Sequence, residues 1–485
     1  MFTERGRWAE VLFPTALVVA LVVSLSGCTD ESESPAGAGA AGGGVGAAGG
    51  AGGSGGAAPV DVLGRLQAIP GVVSVEEGPP KGGARYFDIE IEQPADHDAP
   101  EGQQLIQRIG LIHRDFDAPM VLASTGYGLG SAKLREPALL VNGNQLTVEH
   151  RFFTPSRPDP ADWHHLRIRQ AAADHHRIVE VFKEVYPARW LSTGASKGGM
   201  TSVYHRRFFP DDVHGTIAYV APQSYGDADP RYVTFLEQVG SPECRDALKA
   251  FQGEALLRRP ALTAAMVAEL GESGYLHLGV DGALDFAVIE LPFAFWQYMD
   301  PGLCAAIPGA AATDEEVWAF LNAVDPPELW GDELFEYYEP YYFQAAVELG
   351  YPAYDDSHLA GLLSVPQGFD VAVSLVEPGP TKEMVLDEGA MLDVADWLSA
   401  EGERMLFVYG ELDPYSAAAF EPGGAAESAR LFVPGGNHGA LISDLGPADQ
   451  AAALELVSAW AGVAKMPPPS PELLEEARER RPPGR

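Results

Sequence analysis

The pentapeptide Gly194-Ala195-Ser196-Lys197-Gly198 follows the strand-like run Arg189 to Thr193 and precedes a helical pattern. That context is the one required of a nucleophile elbow, a strand-to-helix turn so sharp that glycine must flank the serine. A serine hydroxyl is a poor nucleophile, so the reading needs a histidine to take its proton and an acid to fix the imidazole tautomer. Both follow in the order serine, acid, histidine. Met405 to Gly410 runs into Glu411-Leu412-Asp413-Pro414, and Arg430 to Pro434 runs into Gly435-Gly436-Asn437-His438-Gly439. Asp413 and His438 therefore stand just past the ends of two strand-like runs, where loops carry catalytic groups. Singly, Asp413 reads equally as a turn residue and His438 as a loop histidine; it is the ordered set with Ser196 that argues for a triad. The oxyanion would meet the backbone N–H of Lys197 and a second N–H in the loop Ser124-Thr125-Gly126-Tyr127-Gly128, from Tyr127 or Gly126.

Elements of two kinds must hold these groups. Arg85 to Ile91 and Leu105 to Leu111 alternate apolar with polar, as antiparallel strands with one solvated face do. Met120 to Ala123, Leu191 with its neighbours, Thr216 to Val220, Met405 to Tyr409 and Leu431 to Val433 are short apolar runs, the pattern of strands covered on both faces. Helical patterns separate the early ones, over Pro160 to Tyr186 with Asp159 as N-cap, and over Met200 to Phe209 before Pro210. The expected class is α/β with a largely parallel sheet. Residues 227–401 read instead as an inserted helical cap, with helices over Pro260 to Leu270 and Glu315 to Ala323 and the aromatic runs Phe293 to Tyr298 and Tyr337 to Phe343. The hydrolytic core is then 60–226 and 402–465, and 466–485 is a loosely attached tail rich in Pro, Glu and Arg.

Thr193 to Met200, Tyr204 to Asp212, Tyr219-Val220-Ala221-Pro222, Leu146 to Phe153, Gln170 to Asp174 and Gln344 to Tyr351 together resemble the secreted bacterial tripeptidyl and prolyl tri/tetrapeptidyl aminopeptidases, distant relatives of lysosomal Pro-X carboxypeptidases. The resemblance spans about Val60 to Gly462. It implies an α/β-hydrolase fold with a helical cap, a serine peptidase acting on short peptides or unfolded N-termini, and no cofactor.

A carboxylesterase or lipase would use the same triad, so the cap must distinguish the two: an aminopeptidase needs a carboxylate for the substrate's α-amine. Glu348 is the candidate, with Gln344 four residues earlier on the same helical face. Glu149 is a second, although an ion pair with Arg151 or another base is its competing role. A catalytically dead peptide- or glycan-binding lipoprotein is a third class, against which the intact triad argues. The pairs His164-His165 and His175-His176 lack a metal-ligand spacing, since adjacent helical residues face different ways.

With 69 acidic against 32 basic residues the formal charge is −37, which repels phosphate backbones and excludes nucleic acid as a natural partner. The apolar run Ala16 to Val23 leads into Leu25-Ser26-Gly27-Cys28, which reads as an export signal (residues 1–28) ending in a bacterial lipobox; an uncleaved anchor is the alternative. Cleavage would leave a lipidated Cys28, followed by Thr29, which favours passage to the outer membrane. Residues 29–59, rich in Gly and Ala, would then be a tether. The expected setting is the cell envelope or outside it, with the membrane met only through that lipid. There Cys244 and Cys304 could pair, with two free buried thiols as the alternative.

Overall fold

Runs of apolar residues too short for helices become the centre of a sheet. The computed structural model describes residues 61–130, 132–368, 370–376, 384–465 and 469–478, within one compact unit, Asp61–Arg485. Its nine strands are β1 (Val72–Lys81), β2 (Ala84–Pro94), β3 (Gln104–His113), β4 (Met120–Ser124), β5 (Asn144–Val148), β6 (Trp190–Ala195), β7 (Thr216–Tyr219), β8 (Met405–Gly410) and β9 (Ala429–Val433), in the spatial order β1-β2-β3-β5-β4-β6-β7-β8-β9. The β1-β2-β3-β5 pairings are antiparallel and all the others parallel. Every residue of β4, β5, β7 and β8 is buried, whereas β2 alternates, in keeping with a two-sided centre and a half-solvated edge.

Helices cover both faces of the parallel part. Short helices α1 (Val62–Gln67) and α2 (Glu136–Leu140) accompany the early strands; α3 (Ile168–Lys183) and α4 (Lys197–Phe208) are the crossovers either side of β6. Between β7 and β8 the chain is almost wholly helical: α5 (Arg231–Leu236), α6 (Pro242–Leu257), α7 (Arg259–Leu270), α8 (Gly279–Tyr298), α9 (Asp314–Val324), α10 (Asp332–Gln344), a turn of π-helix over Ala345–Leu349, α11 (Val371–Ser374) and α12 (Glu388–Glu401). After β9 come α13 (Pro447–Ala461) and α14 (Pro471–Ala477). This is the α/β-hydrolase fold with a cap inserted before the strand that leads to the acid. The cap has its own apolar core, built on α6, α8 and α10 around Phe251, Leu284, Phe295, Trp296 and Phe343, and Cys244 and Cys304 are joined in it by a disulfide.

Three expectations need correction. The helix expected from Pro160 begins only at Ile168: residues 163–165 form a 3₁₀ turn capped by Asp162. The reason lies 180 residues away, because Glu348 accepts the Ile168 N–H at 2.9 Å and so fixes where α3 starts. Strand β1 and the full extent of β5 were not read from the pattern, since β1 carries Glu76, Glu77 and two prolines, and β5 carries three polar residues that are nonetheless buried. Part of the expected tail is docked: α14 buries Ala477, and Arg478 pairs with Asp444 at 2.7 Å and donates to the Gly439 carbonyl.

Candidate active site

Ser196 joins β6 to α4 with φ 53° and ψ −127°, a left-handed conformation that a serine adopts only where its surroundings impose it. The surroundings are backbone. A Cβ on Gly194 would lie 2.2 Å from the Gly198 carbonyl carbon, and one on Gly198 would lie 2.3 Å from the Ser124 carbonyl oxygen. The turn is pinned by the Ser196 N–H donating to the Tyr219 carbonyl at 2.9 Å and the Met200 N–H donating to that of Ser196 at 3.0 Å. Lys197 is thereby the first residue of α4, its backbone N–H among those a helix start leaves free for an anion.

The loop after β4 presses on this turn. Gly126 has φ 74°, and a Cβ there would lie 2.5 Å from the Gly198 nitrogen. The Lys197 side chain, 2% exposed, reaches back to donate from Nζ to the Gly126 carbonyl at 2.8 Å beside the rings of Tyr127 and Phe153. Burial pushes its amine well below the usual lysine range, so this tie between elbow and loop does not require a buried ammonium. Tyr127 lines the cavity at Ser196, but its own N–H donates to Thr125 Oγ1 at 3.2 Å, so of the two donors expected in this loop it is the one already engaged.

Asp413 follows β8 and is wholly buried. Its Oδ2 is 2.7 Å from His438 Nδ1, and its Oδ1 accepts the Tyr415 N–H at 3.1 Å. With Nδ1 held by the carboxylate, Nε2 is the nitrogen left to exchange a proton with a hydroxyl. The histidine's loop is fixed from two sides: the His438 N–H donates to the Gln297 carbonyl at the end of α8 at 3.0 Å, and the Leu412 N–H donates to the Gly436 carbonyl at 2.8 Å. Ser196 and His438 line one cavity with Gln297 and seven tyrosines, Tyr127, Tyr298, Tyr338, Tyr341, Tyr342, Tyr351 and Tyr415. Tyr298 of α8, Tyr338, Tyr341 and Tyr342 of α10, and Tyr351 just past the π-helical turn are five of the seven, so the cap supplies most of the wall.

The carboxylates expected to receive an amine stand elsewhere. Glu348 is absent from the cavity lining; it is 8% exposed and caps α3, and burial raises its carboxyl to about 7 against the opposing pull of the Ile168 N–H. Gln344 is buried outside that lining, and its Oε1 has no hydrogen-bond partner. Glu149 accepts from the Leu129 N–H at 2.7 Å and Ser156 Oγ at 2.6 Å, tying together loops beside the site. Of the bases offered as its partner, Arg151 pairs with Asp174 instead, at 2.7 and 2.8 Å, and it is Arg108 that stands 3.9 Å from the Glu149 carboxylate. The histidine pairs are used locally: His175 lies 3.1 Å from Ser124 Oγ, His176 2.9 Å from Asp212, and His164 2.8 Å from Asp162. Gln297 was missed on the sequence, hidden in an aromatic run that reads as core.

A serine at an elbow, a carboxylate-held histidine and a cap over both define the class: a serine hydrolase on the α/β-hydrolase fold. Residues 56–472 match the PS-10 peptidase S37 family. The chain is 41% identical over 416 residues to the prolyl tri/tetrapeptidyl aminopeptidase of Streptomyces mobaraensis, covering 84% of this chain and 86% of that one. The chain belongs to the peptidase S37 family and is a serine peptidase. Among solved structures, the proline iminopeptidase of Mycobacterium smegmatis is 12% identical, with 80% of this chain and 99% of that one covered at a TM-score of 0.36. An acetylester hydrolase from Corynebacterium glutamicum is 10% identical, with 78% and 96% covered at 0.37.

The placement of Glu348 has a measurable consequence. Its carboxyl binds a proton more tightly folded than unfolded, so its contribution is fully favourable below 4.5 and is lost as pH rises through about 7. Glu348→Gln keeps an acceptor for the Ile168 N–H without the charge. It is expected to change stability little at pH 4 and to raise it by ~1 to 3 kcal/mol at pH 8, read from urea midpoints. A variant destabilised more at pH 8 than at pH 4 would contradict the placement.

Proposed function

We propose that this protein is an exported exopeptidase that removes tri- or tetrapeptides from free N-termini, with proline before the scissile bond, through an acyl-enzyme on Ser196. The observation that supports it most is the shared cavity of Ser196 and His438, walled by tyrosines from the cap. Ser196 Oγ attacks the scissile carbonyl while His438 Nε2 takes its proton; Asp413 holds the tautomer and steadies the imidazolium. The oxyanion is met by the Lys197 N–H at the positive end of α4 and by an N–H of the loop after β4, for which Gly126 remains the candidate once Tyr127 is held by Thr125. His438 then returns the proton to the leaving amine, and water repeats the sequence to free the peptide. Proline before the scissile bond suits the walls: its ring is apolar, and its nitrogen carries no N–H that would need an acceptor among aromatic faces. The Streptomyces relative's name carries the same specificity.

The reading of substrate ends is graded by magnitude. Among the described residues the cavity lining holds no carboxylate, so a free ammonium would meet tyrosine faces and hydroxyls, worth roughly 0.5 to 2 kcal/mol. Acetylating the N-terminus of a proline-ending tripeptide p-nitroanilide is therefore expected to lower kcat/KM about two- to thirtyfold. Equal rates would remove the requirement for a free N-terminus, and turnover of a short-chain ester with no peptide cleavage would return the reading to a carboxylesterase.

Export rests on the apolar run Ala16 to Val23 and on Leu25-Ser26-Gly27-Cys28, which lie outside the described residues. Among the described residues no helix is long and apolar enough to cross a membrane; the attachment proposed here is a lipid on Cys28. Mass spectrometry of the membrane fraction is expected to find a diacylglyceryl Cys28 at the mature N-terminus; a mature chain starting elsewhere, with Cys28 absent or unmodified, would contradict it.

A further inference from the structure

Helix α8 buries Phe293, Ala294, Phe295 and Trp296 and then, in its last turn, presents one amide side chain, Gln297, to the Ser196 cavity. Gln297 is 2% exposed, and its Oε1 is buried with no hydrogen-bond partner. A leucine of similar volume would fill the same space without an unmet polar atom, and an unmet buried carbonyl forfeits its hydration with nothing in return. Its backbone is no loose end either: the Gln297 carbonyl holds the His438 N–H at 3.0 Å, so the side chain starts from a point fixed relative to the base.

The chemistry of the lining narrows what this oxygen meets. Tyrosine hydroxyls both donate and accept, and Ser196 and His438 are occupied by proton transfer. Among the described lining residues, Gln297 Oε1 is the side-chain atom that accepts and does nothing else. A peptide entering with proline before the scissile bond has no N–H at that residue, so its nearest backbone donor on the acyl side belongs to the residue before the proline. We propose that Gln297 is a substrate-binding residue whose Oε1 accepts that N–H, fixing the register of the peptide against Ser196. The proposal rests on the peptidase reading above.

The test replaces one atom of the substrate. Ala-Ala-Pro-p-nitroanilide is compared with its depsipeptide analogue, in which lactic acid replaces the middle alanine and an ester oxygen stands where the N–H was. The readout is the ratio of their kcat/KM values for nitroaniline release, from which damage common to both substrates cancels. For the full-length wild-type enzyme a ratio of roughly tenfold is expected, the loss typical of one buried hydrogen bond. Gln297→Leu is expected to bring the ratio close to one. Gln297→Glu keeps the acceptor and is expected to hold the ratio or raise it, and it decides the matter if the leucine variant does not fold. A wild-type ratio near one, a leucine variant with the wild-type ratio, or a glutamate variant with no discrimination would overturn the assignment. Absence of nitroaniline release from the parent peptide by the wild-type enzyme would overturn the peptidase reading and this inference with it.

Discussion

Backbone packed on backbone at Ser196 is the constraint on which the rest of the site depends. Gly194 touches Gly198, Gly198 touches the Ser124 carbonyl, and Gly126 touches the Gly198 nitrogen, each at a distance that leaves no space for a Cβ. These contacts hold the serine at positive φ, at the cavity that it lines, and make Lys197 the first residue of α4. They also bring the loop after β4 against the elbow, where an anion at the serine can be met from two sides. The strain of a left-handed serine is of order 1 to 3 kcal/mol, and the neighbouring strands β4 and β7 hold it in place through buried ladders.

Asp413 and His438 are organised by a second set of contacts, and these cross from the core to the cap. Asp413 and His438 come from loops after β8 and β9, yet the His438 backbone is held by Gln297 at the end of α8. The cap is thus part of the site: it anchors the loop carrying His438, supplies most of the tyrosine wall and, through Glu348, fixes the start of α3. Its internal disulfide, Cys244 to Cys304, ties α6 to the segment that follows α8.

Much of this was legible in the sequence because the signals are local. The elbow needs glycines at fixed offsets, the acid and base follow strands in a fixed order, and strands buried on both faces are short apolar runs. Ser196, Asp413 and His438, which the fold brings together, could therefore be picked out from the elbow and the two strand-end loops alone. What was not legible depends on partners distant in the chain. Glu348 looks like any acidic residue of a cap helix until Ile168, 180 residues away, is seen donating to it. β5 hides because Asn144, Gln145 and Thr147 are polar, although Asn144 and Gln145 are satisfied by loops that cover the strand. Gln297 is surrounded in sequence by aromatic residues that do form core, and only the cavity at its side chain sets it apart.

The account stands on Ser196 being the residue that becomes acylated, with His438 and Asp413 acting through it. Treating the active full-length enzyme with a fluorophosphonate, and following the adduct by peptide mapping as activity falls, measures this directly. The account predicts one adduct per chain, on Ser196, accumulating in step with the loss of peptide hydrolysis. Full inactivation with Ser196 unmodified, or stoichiometric modification of Ser196 with hydrolysis intact, would contradict it.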